Sequence, residues 1–271
     1  MGYYNSKHDR EKLSKGNVNG SSTGNGVVTK DYSKMQDGLI FSDSVSLGIS
    51  GGDSNKELHY LYCQRALNEE NVDGLELLML HGAAFTAETW KSSGILNKLC
   101  AAVPKSSIRS LTALDLEVSA DGKELEHVFD KLVEAKVLSG ERVVLISPSA
   151  SGKAVVSLAD LAFHNSNKVI EEGTSTSSSQ FLTQMIKGWI PVACPAINSA
   201  GTETLEMFPK NDIPVMGIYG NKDRMGARVT EKLVQHAGAV GHEIKGSHPC
   251  YLDSPDDFMD LVRSFVDGLD R

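Results

Sequence analysis

The stretch RVVLISPSASGKAVVSL, Arg142–Leu158, begins as a strand and ends as a helix. RVVLIS is a short apolar run of the kind found in a strand buried on both faces, and SGKAVVSLADLAFH has helical spacing. Between them S-P-S-A-S places serines at 147, 149 and 151. A strand that ends small-x-Ser-x-small and runs into a helix must turn sharply, which strains the backbone of its central residue. Small neighbours avoid clashes, and the central hydroxyl is left above the sheet. Ser147 and Ser151 take the small positions, one in the strand end and the other in the helix, so Ser149 is the candidate nucleophile. The plainer reading of Ser149 is a helix N-cap. GISGG, around Ser50, imitates such a turn but has no clear helix after it.

Working outward, strand and helix patterns alternate. LIFSDSVSLGI and ELHYLYCQRAL read as strands joined by SGGDSN, and LELLMLHG as a buried strand. AETWKSSGILNKLCAAV reads as one helix, SIRSLTALDL as a strand and KELEHVFDKLVEAKVL as an amphipathic helix. After the central stretch come strand GWIPVACPAI, short helix GTETLEMF, strand IPVMGIYG and helix MGARVTEKLVQHAG. Strand VGHEIKG and helix SPDDFMDLVRSFVDGL close the chain. The pattern predicts an α/β fold, a mostly parallel central sheet with helices on both faces. Residues 1–36, rich in Ser, Gly, Asn and Lys, read as a disordered polar tail and 37–271 as the folded domain. EEGTSTSSSQ, 171–180, reads as a mobile polar insert.

A serine nucleophile needs a base, and the base needs a carboxylate. In α/β-hydrolases these follow in the order Ser, Asp or Glu, His, each after a strand. IPVMGIYGNKD puts Asp223 just after a strand, and HEIKGSHPCYLDSPDDF puts His248 after the last strand and before the final helix. Singly, each could be a cap or a loop residue; their order and placement together point to a Ser149–His248–Asp223 triad. The oxyanion of an acyl-transfer intermediate needs two backbone N–H groups. Ala150 follows the nucleophile, and Ala83 lies in the HGAAF loop with Ala84 close behind. His81, at a strand end before Gly82, fits a structural role, bonding loop backbone. The other histidines show no metal-ligand spacing, and no metal is expected.

The chain has 271 residues and a formal net charge of −8, which argues against a nucleic-acid partner and against adhesion to anionic membranes. Its four cysteines form no C-x-x-C pair, so free thiols in a reducing compartment are expected. MGYYNSKHDREKLSKG lacks an apolar signal core. MGYYNS does fit the myristoylation pattern at Gly2, with basic residues nearby, although Tyr3 beside the acceptor is unfavourable. A single myristoyl chain gives only weak tethering. The expected location is the cytoplasm, with membrane contact only if Gly2 is myristoylated.

LLMLHGAAFTAETW, VVLISPSASG, PVACPAI, IYGNKDRMG and KGSHPCYLD together resemble the α/β-hydrolase-domain-containing protein 14 group, from about Gly38 onward. The S-P-S-x-S-G turn and H-P-C-Y-L-D are its specific parts. The resemblance implies Ser149 as nucleophile, Asp223 as acid and His248 as base, with hydrolysis of small activated esters. For one member it implies acetyl transfer from protein lysine to coenzyme A. The group's P-G-x-G-x-S loop is replaced here by EVSADG, the 171–180 insert is extra, and a polar tail stands where one branch has a membrane anchor.

The expected function is a serine hydrolase working through an acyl-enzyme on a small acyl substrate or an acylated protein. No cofactor is expected beyond coenzyme A as acyl acceptor. The competing class is a non-catalytic binding protein on the same fold. Only NSAGTETLEMFPKND separates two strands where a cap would be inserted, so no large cap is expected and the site should be open. Phe85, Trp90 and Met225 are its expected walls.

Overall fold

The structure is a computed structural model that describes residues 39–47, 56–64, 74–103, 107–172 and 177–269. The polar tail and GISGG lie outside the described residues. In chain order the elements are β1 (Phe41–Ser46), β2 (Glu57–Gln64), β3 (Leu75–Met79), α1 (Ala87–Ser92), α2 (Ile95–Ala102), β4 (Ile108–Leu114) and α3 (Gly122–Glu134). Then follow β5 (Val143–Pro148), α4 (Gly152–Glu172), α5 (Ser177–Met185), β6 (Ile186–Val192), α6 (Thr202–Leu205) and α7 (Met207–Lys210). The last are β7 (Met216–Gly220), α8 (Arg224–His236), β8 (Val240–Ile244), α9 (Cys250–Asp253) and α10 (Pro255–Leu269).

The eight strands form one sheet in the order β1-β2-β4-β3-β5-β6-β7-β8. β1 and β2 are antiparallel to their neighbours, and β4 through β8 run parallel. Alternate residues of a strand point to opposite faces. Leu78 and Leu145 join the core beneath α3 and α4, while Leu77, Met79, Val144 and Ile146 join the core beneath α1, α2 and α10. Both faces are covered, which is why β3 and β5 are buried along their whole length. The chain leaves β3 for β4 on one side and reaches β5 on the other. Their carboxyl ends therefore splay apart, and a crevice opens at this switch point.

The structure departs from the sequence reading in local ways. AETWKSSGILNKLCAAV forms two helices, because Gly94, at φ 80°, breaks the ladder after two serines that favour helix ends. α4 runs past His164 to Glu172. Of the 171–180 insert, Glu171 and Glu172 close α4 and Ser177 opens α5, so local helix formation claims residues whose polarity suggested a loop. Cys63 of β2 and Cys100 of α2 are joined as a disulfide, with Cα atoms 6.0 Å apart, which corrects the expectation of free thiols for these two, while Cys194 and Cys250 are free. They lie 37 positions apart in sequence, and only the packing of α2 on the sheet brings them together. Between β6 and β7 stand a 3-10 turn at Pro195–Asn198 and the two four-residue helices α6 and α7. Among the described residues there is no large cap.

Candidate active site

Four loops at the carboxyl end of the sheet meet around Ser149. Ser149 follows β5 directly and opens a 3-10 turn, Ser149–Ser151, that feeds α4 at Gly152. Its φ is 51°, a left-handed conformation that costs a non-glycine residue free energy and turns the hydroxyl out of the sheet. The two flanking serines are spent on structure. Ser147 is fully buried and its Oγ accepts from Trp189 Nε1 at 2.8 Å. Ser151 Oγ donates to the Pro148 carbonyl at 2.9 Å.

His248 lies between β8 and α9, where its Nε2 is 2.8 Å from Ser149 Oγ and its Nδ1 is 2.7 Å from Asp223 Oδ2. Asp223 follows β7 and caps α8, its Oδ1 accepting from the Gly226 N–H at 2.9 Å. The cap role and the triad geometry thus belong to one carboxylate, one oxygen each. Gly226 must be small: a Cβ there would lie 2.7 Å from Asp223 Oδ2 and 3.0 Å from Ala193 Cβ. The loops carrying Asp223 and His248 are tied together. The Asn221 N–H donates to the Ile244 carbonyl at 2.8 Å, and the Lys222 N–H to the Gly246 carbonyl at 2.9 Å. Asn221 Oδ1 accepts from the Gly246 N–H at 3.1 Å. Asp253 Oδ2 accepts from Ser247 Oγ and N–H, at 2.6 and 2.7 Å, and these bonds hold its carboxyl below the usual range. Beside them, burial pushes the Cys250 thiol up to about 12. It stays protonated at neutral pH and offers no thiolate to rival Ser149.

The loop after β3 supplies the other wall. A Cβ at Gly82 would lie 3.7 Å from Ser149 Cβ, so this backbone runs close beside the nucleophile position. The Phe85 N–H donates to the Gly82 carbonyl at 3.0 Å, closing a turn over the exposed Ala83 and Ala84. Among the described residues, no backbone carbonyl accepts from the Ala83 or Ala84 N–H. Ala150 lies in the first turn after Ser149, where N–H groups lack a helical partner. His81 Nδ1 donates to the Gly82 carbonyl at 2.9 Å, the loop-bracing role expected of it. Sequence reasoning missed Asp115, whose Oδ1 accepts from the Ala87 N–H at 2.6 Å and whose Oδ2 lies 3.2 Å from His59 Nδ1. Its place at the end of TALDL was the available signal.

Beside Ser149 opens a cavity of about 270 Å³, lined among others by Phe85, Pro148, Val192, Pro249 and Tyr251. Of the three expected wall residues only Phe85 is there. Trp90 is buried beneath the loop, with its Nε1 donating to the Leu80 carbonyl at 2.9 Å. Met225 packs against the core on the α3 and α4 side. A large apolar residue near a loop is drawn into the core whenever it can reach it, and position in the chain does not reveal which ones can. Tyr251, three residues after His248, went unnoticed.

No family model matches the chain. The human "Putative protein-lysine deacylase ABHD14B" is 29% identical over 217 residues, 77% of this chain and 91% of that protein. The Pongo abelii protein of the same name is 30% identical over 201 residues, 71% of this chain and 83% of that one. ABHD14A of Danio rerio is 28% identical over 207 residues, 72% of this chain and 66% of its own length. Among solved structures, the esterase RhEst1 from Rhodococcus sp. ECU1013 superposes with a TM-score of 0.51 at 16% identity, covering 85% of this chain and 99% of that one. The Staphylococcus aureus fluorophosphonate-binding serine hydrolase FphF gives 0.54 at 11%, covering 86% and 98%. These structural likenesses show the fold, and the sequence relatives show the family: the chain belongs to the ABHD14 group of α/β-hydrolases.

Proposed function

We propose that the chain is a serine hydrolase that passes acyl groups through Ser149. The observation that carries this reading is the unbroken chain of contacts from Ser149 Oγ to His248 Nε2 and from His248 Nδ1 to Asp223 Oδ2. With the Nδ1 proton donated to Asp223, Nε2 is the free base that accepts the Ser149 proton as the oxygen attacks an acyl carbonyl. Asp223 stabilises the imidazolium that forms. The Ala83 and Ala150 N–H groups hold the oxyanion, and His248 returns the proton to the leaving alcohol or amine. Acid–base help of this kind contributes about a hundred- to ten-thousandfold, and one lost oxyanion donor costs about a hundred- to a thousandfold.

Water then yields a carboxylate, and a thiol such as that of coenzyme A yields a thioester. The deacylase name carried by the ABHD14B relatives supports acyl-lysine in a protein as donor. So does the absence of a large cap, with Ala83 and Ala84 exposed at the rim, because a lysine on a bulky partner must reach Ser149. Among the described residues no helix is long and apolar enough to cross a membrane, and membrane contact is proposed only through a myristoyl group on Gly2. Cytosolic placement loses one of its arguments with the Cys63–Cys100 bond.

The test is labelling with a fluorophosphonate. Mass spectrometry is expected to find the adduct on Ser149 alone, and Ser149→Ala to abolish it. Full labelling of that variant would show another nucleophile.

A further inference from the structure

The cavity beside Ser149 has about 270 Å³, below the usual size of a drug-sized ligand site, so it takes a short chain. Among the described residues no Lys, Arg, Asp or Glu lines it. An acyl group ending in a carboxylate would be desolvated there without a counter-charge, which is prohibitive. The cavity therefore selects neutral acyl groups.

Its walls carry a single phenol, that of Tyr251. The ring is fixed by Trp90 at 4.8 Å and Phe258 at 5.8 Å between centroids, and by the edge of Phe85 at 6.4 Å. Only 2% of the residue is exposed. Among the described residues nothing hydrogen-bonds its hydroxyl. Nor is the oxygen sealed in the protein: among the described residues, Tyr251 is not one of those with an enclosed, unpartnered side-chain polar atom, as Ser110, Thr112 and Arg263 are. The access it keeps belongs to a residue that lines the cavity. Burial also pushes the phenol above its ordinary range, so it remains a donor at every working pH.

We infer that Tyr251 sets acyl specificity, its hydroxyl donating to an oxygen on the chain of a short neutral acyl group, a hydroxyacyl or oxoacyl group. The inference rests on the serine-hydrolase reading of Ser149. An acyl chain with an oxygen gives this hydroxyl an acceptor. A plain alkyl chain leaves a nearly buried donor unpartnered, and a site of this kind discriminates against the analogue that lacks the acceptor.

The test uses N-acetylcysteamine thioesters of butyrate, 3-hydroxybutyrate, 3-oxobutyrate and succinate, with kcat/KM measured for the wild type, Tyr251→Phe and Ser149→Ala. The wild type should favour the two oxygenated chains over butyryl by about tenfold, the worth of one ordinary hydrogen bond. Succinyl should be slowest. Tyr251→Phe keeps the ring and its packing and should bring the ratio close to one. A loss of structure alone would slow all substrates together and leave the ratio standing. Ser149-dependent turnover without a preference in the wild type, or a ratio unmoved in Tyr251→Phe, overturns the assignment of Tyr251 alone. Equal turnover by Ser149→Ala overturns the serine reading and this inference with it. The wild-type ratio decides the matter even if Tyr251→Phe fails to fold.

Discussion

Asp223 shows how much one side chain can be asked to do. Its Oδ1 is held by the Gly226 N–H, which leaves Oδ2 aimed at His248. The aim depends on Gly226, because any side chain there meets the carboxylate itself. Gly226→Ala should therefore lower kcat/KM by roughly ten- to a hundredfold, the range set by a misplacement near 1 Å. Circular dichroism should remain that of the wild type, and Asp223→Asn should fall at least as far. Wild-type kcat/KM in Gly226→Ala would show that the triad does not need this close approach. As candidates, Asp223 and His248 were legible in sequence because each follows a strand in the order Ser, Asp, His. Asp115 was not, since its role lies in contacts with Ala87 and His59 that no spacing encodes.

At the scale of elements, the entry of α4 behind β5 and β6 decides where Ser149 stands. A side chain on Gly152 would run into Cys194 Sγ and lie 2.8 Å from Cys194 Cβ, so the helix start is packed against the turn that follows β6. Gly152→Ala should destabilise the fold by about 1–3 kcal/mol, the cost of overpacking. Adding Cys194→Ala removes the sulfur contact and keeps the Cβ one, so the double variant should recover part of the loss. Urea midpoints would measure it, and strictly additive losses would refute the coupling. β5 and α3 were read from periodicity within narrow limits, since an apolar run or an amphipathic stripe is a local property. The break at Gly94 was missed because apolar spacing resumes on both sides of it. α9, only Cys250–Asp253, is too short to leave a periodic trace.

Over the whole molecule, the sheet order places α2 against β2, and with it Cys100 against Cys63. Both cysteines are fully buried, as are Cys194 and Cys250. Protein from its native source, denatured and alkylated without reduction, should take up two adducts, on Cys194 and Cys250. Four adducts would mean that the thiols of Cys63 and Cys100 stay free in the cell. The same intact mass reads whether Gly2 carries a myristoyl group.

The amino-acid sequence by itself determined the alternation of elements, the two-sided burial of β3 and β5, and the candidates Ser149, Asp223 and His248. Each of these rests on neighbours in the chain, and periodicity and strand-end position are visible there. Tertiary structure alone decided that Ser147 and Ser151 are spent on Trp189 and Pro148, and that Phe85 and Tyr251 line the cavity while Trp90 and Met225 do not. It also decided that Cys63 meets Cys100. Those outcomes depend on which distant surfaces the sheet order brings into contact, and a side chain's partner across the fold leaves no mark in its own local sequence.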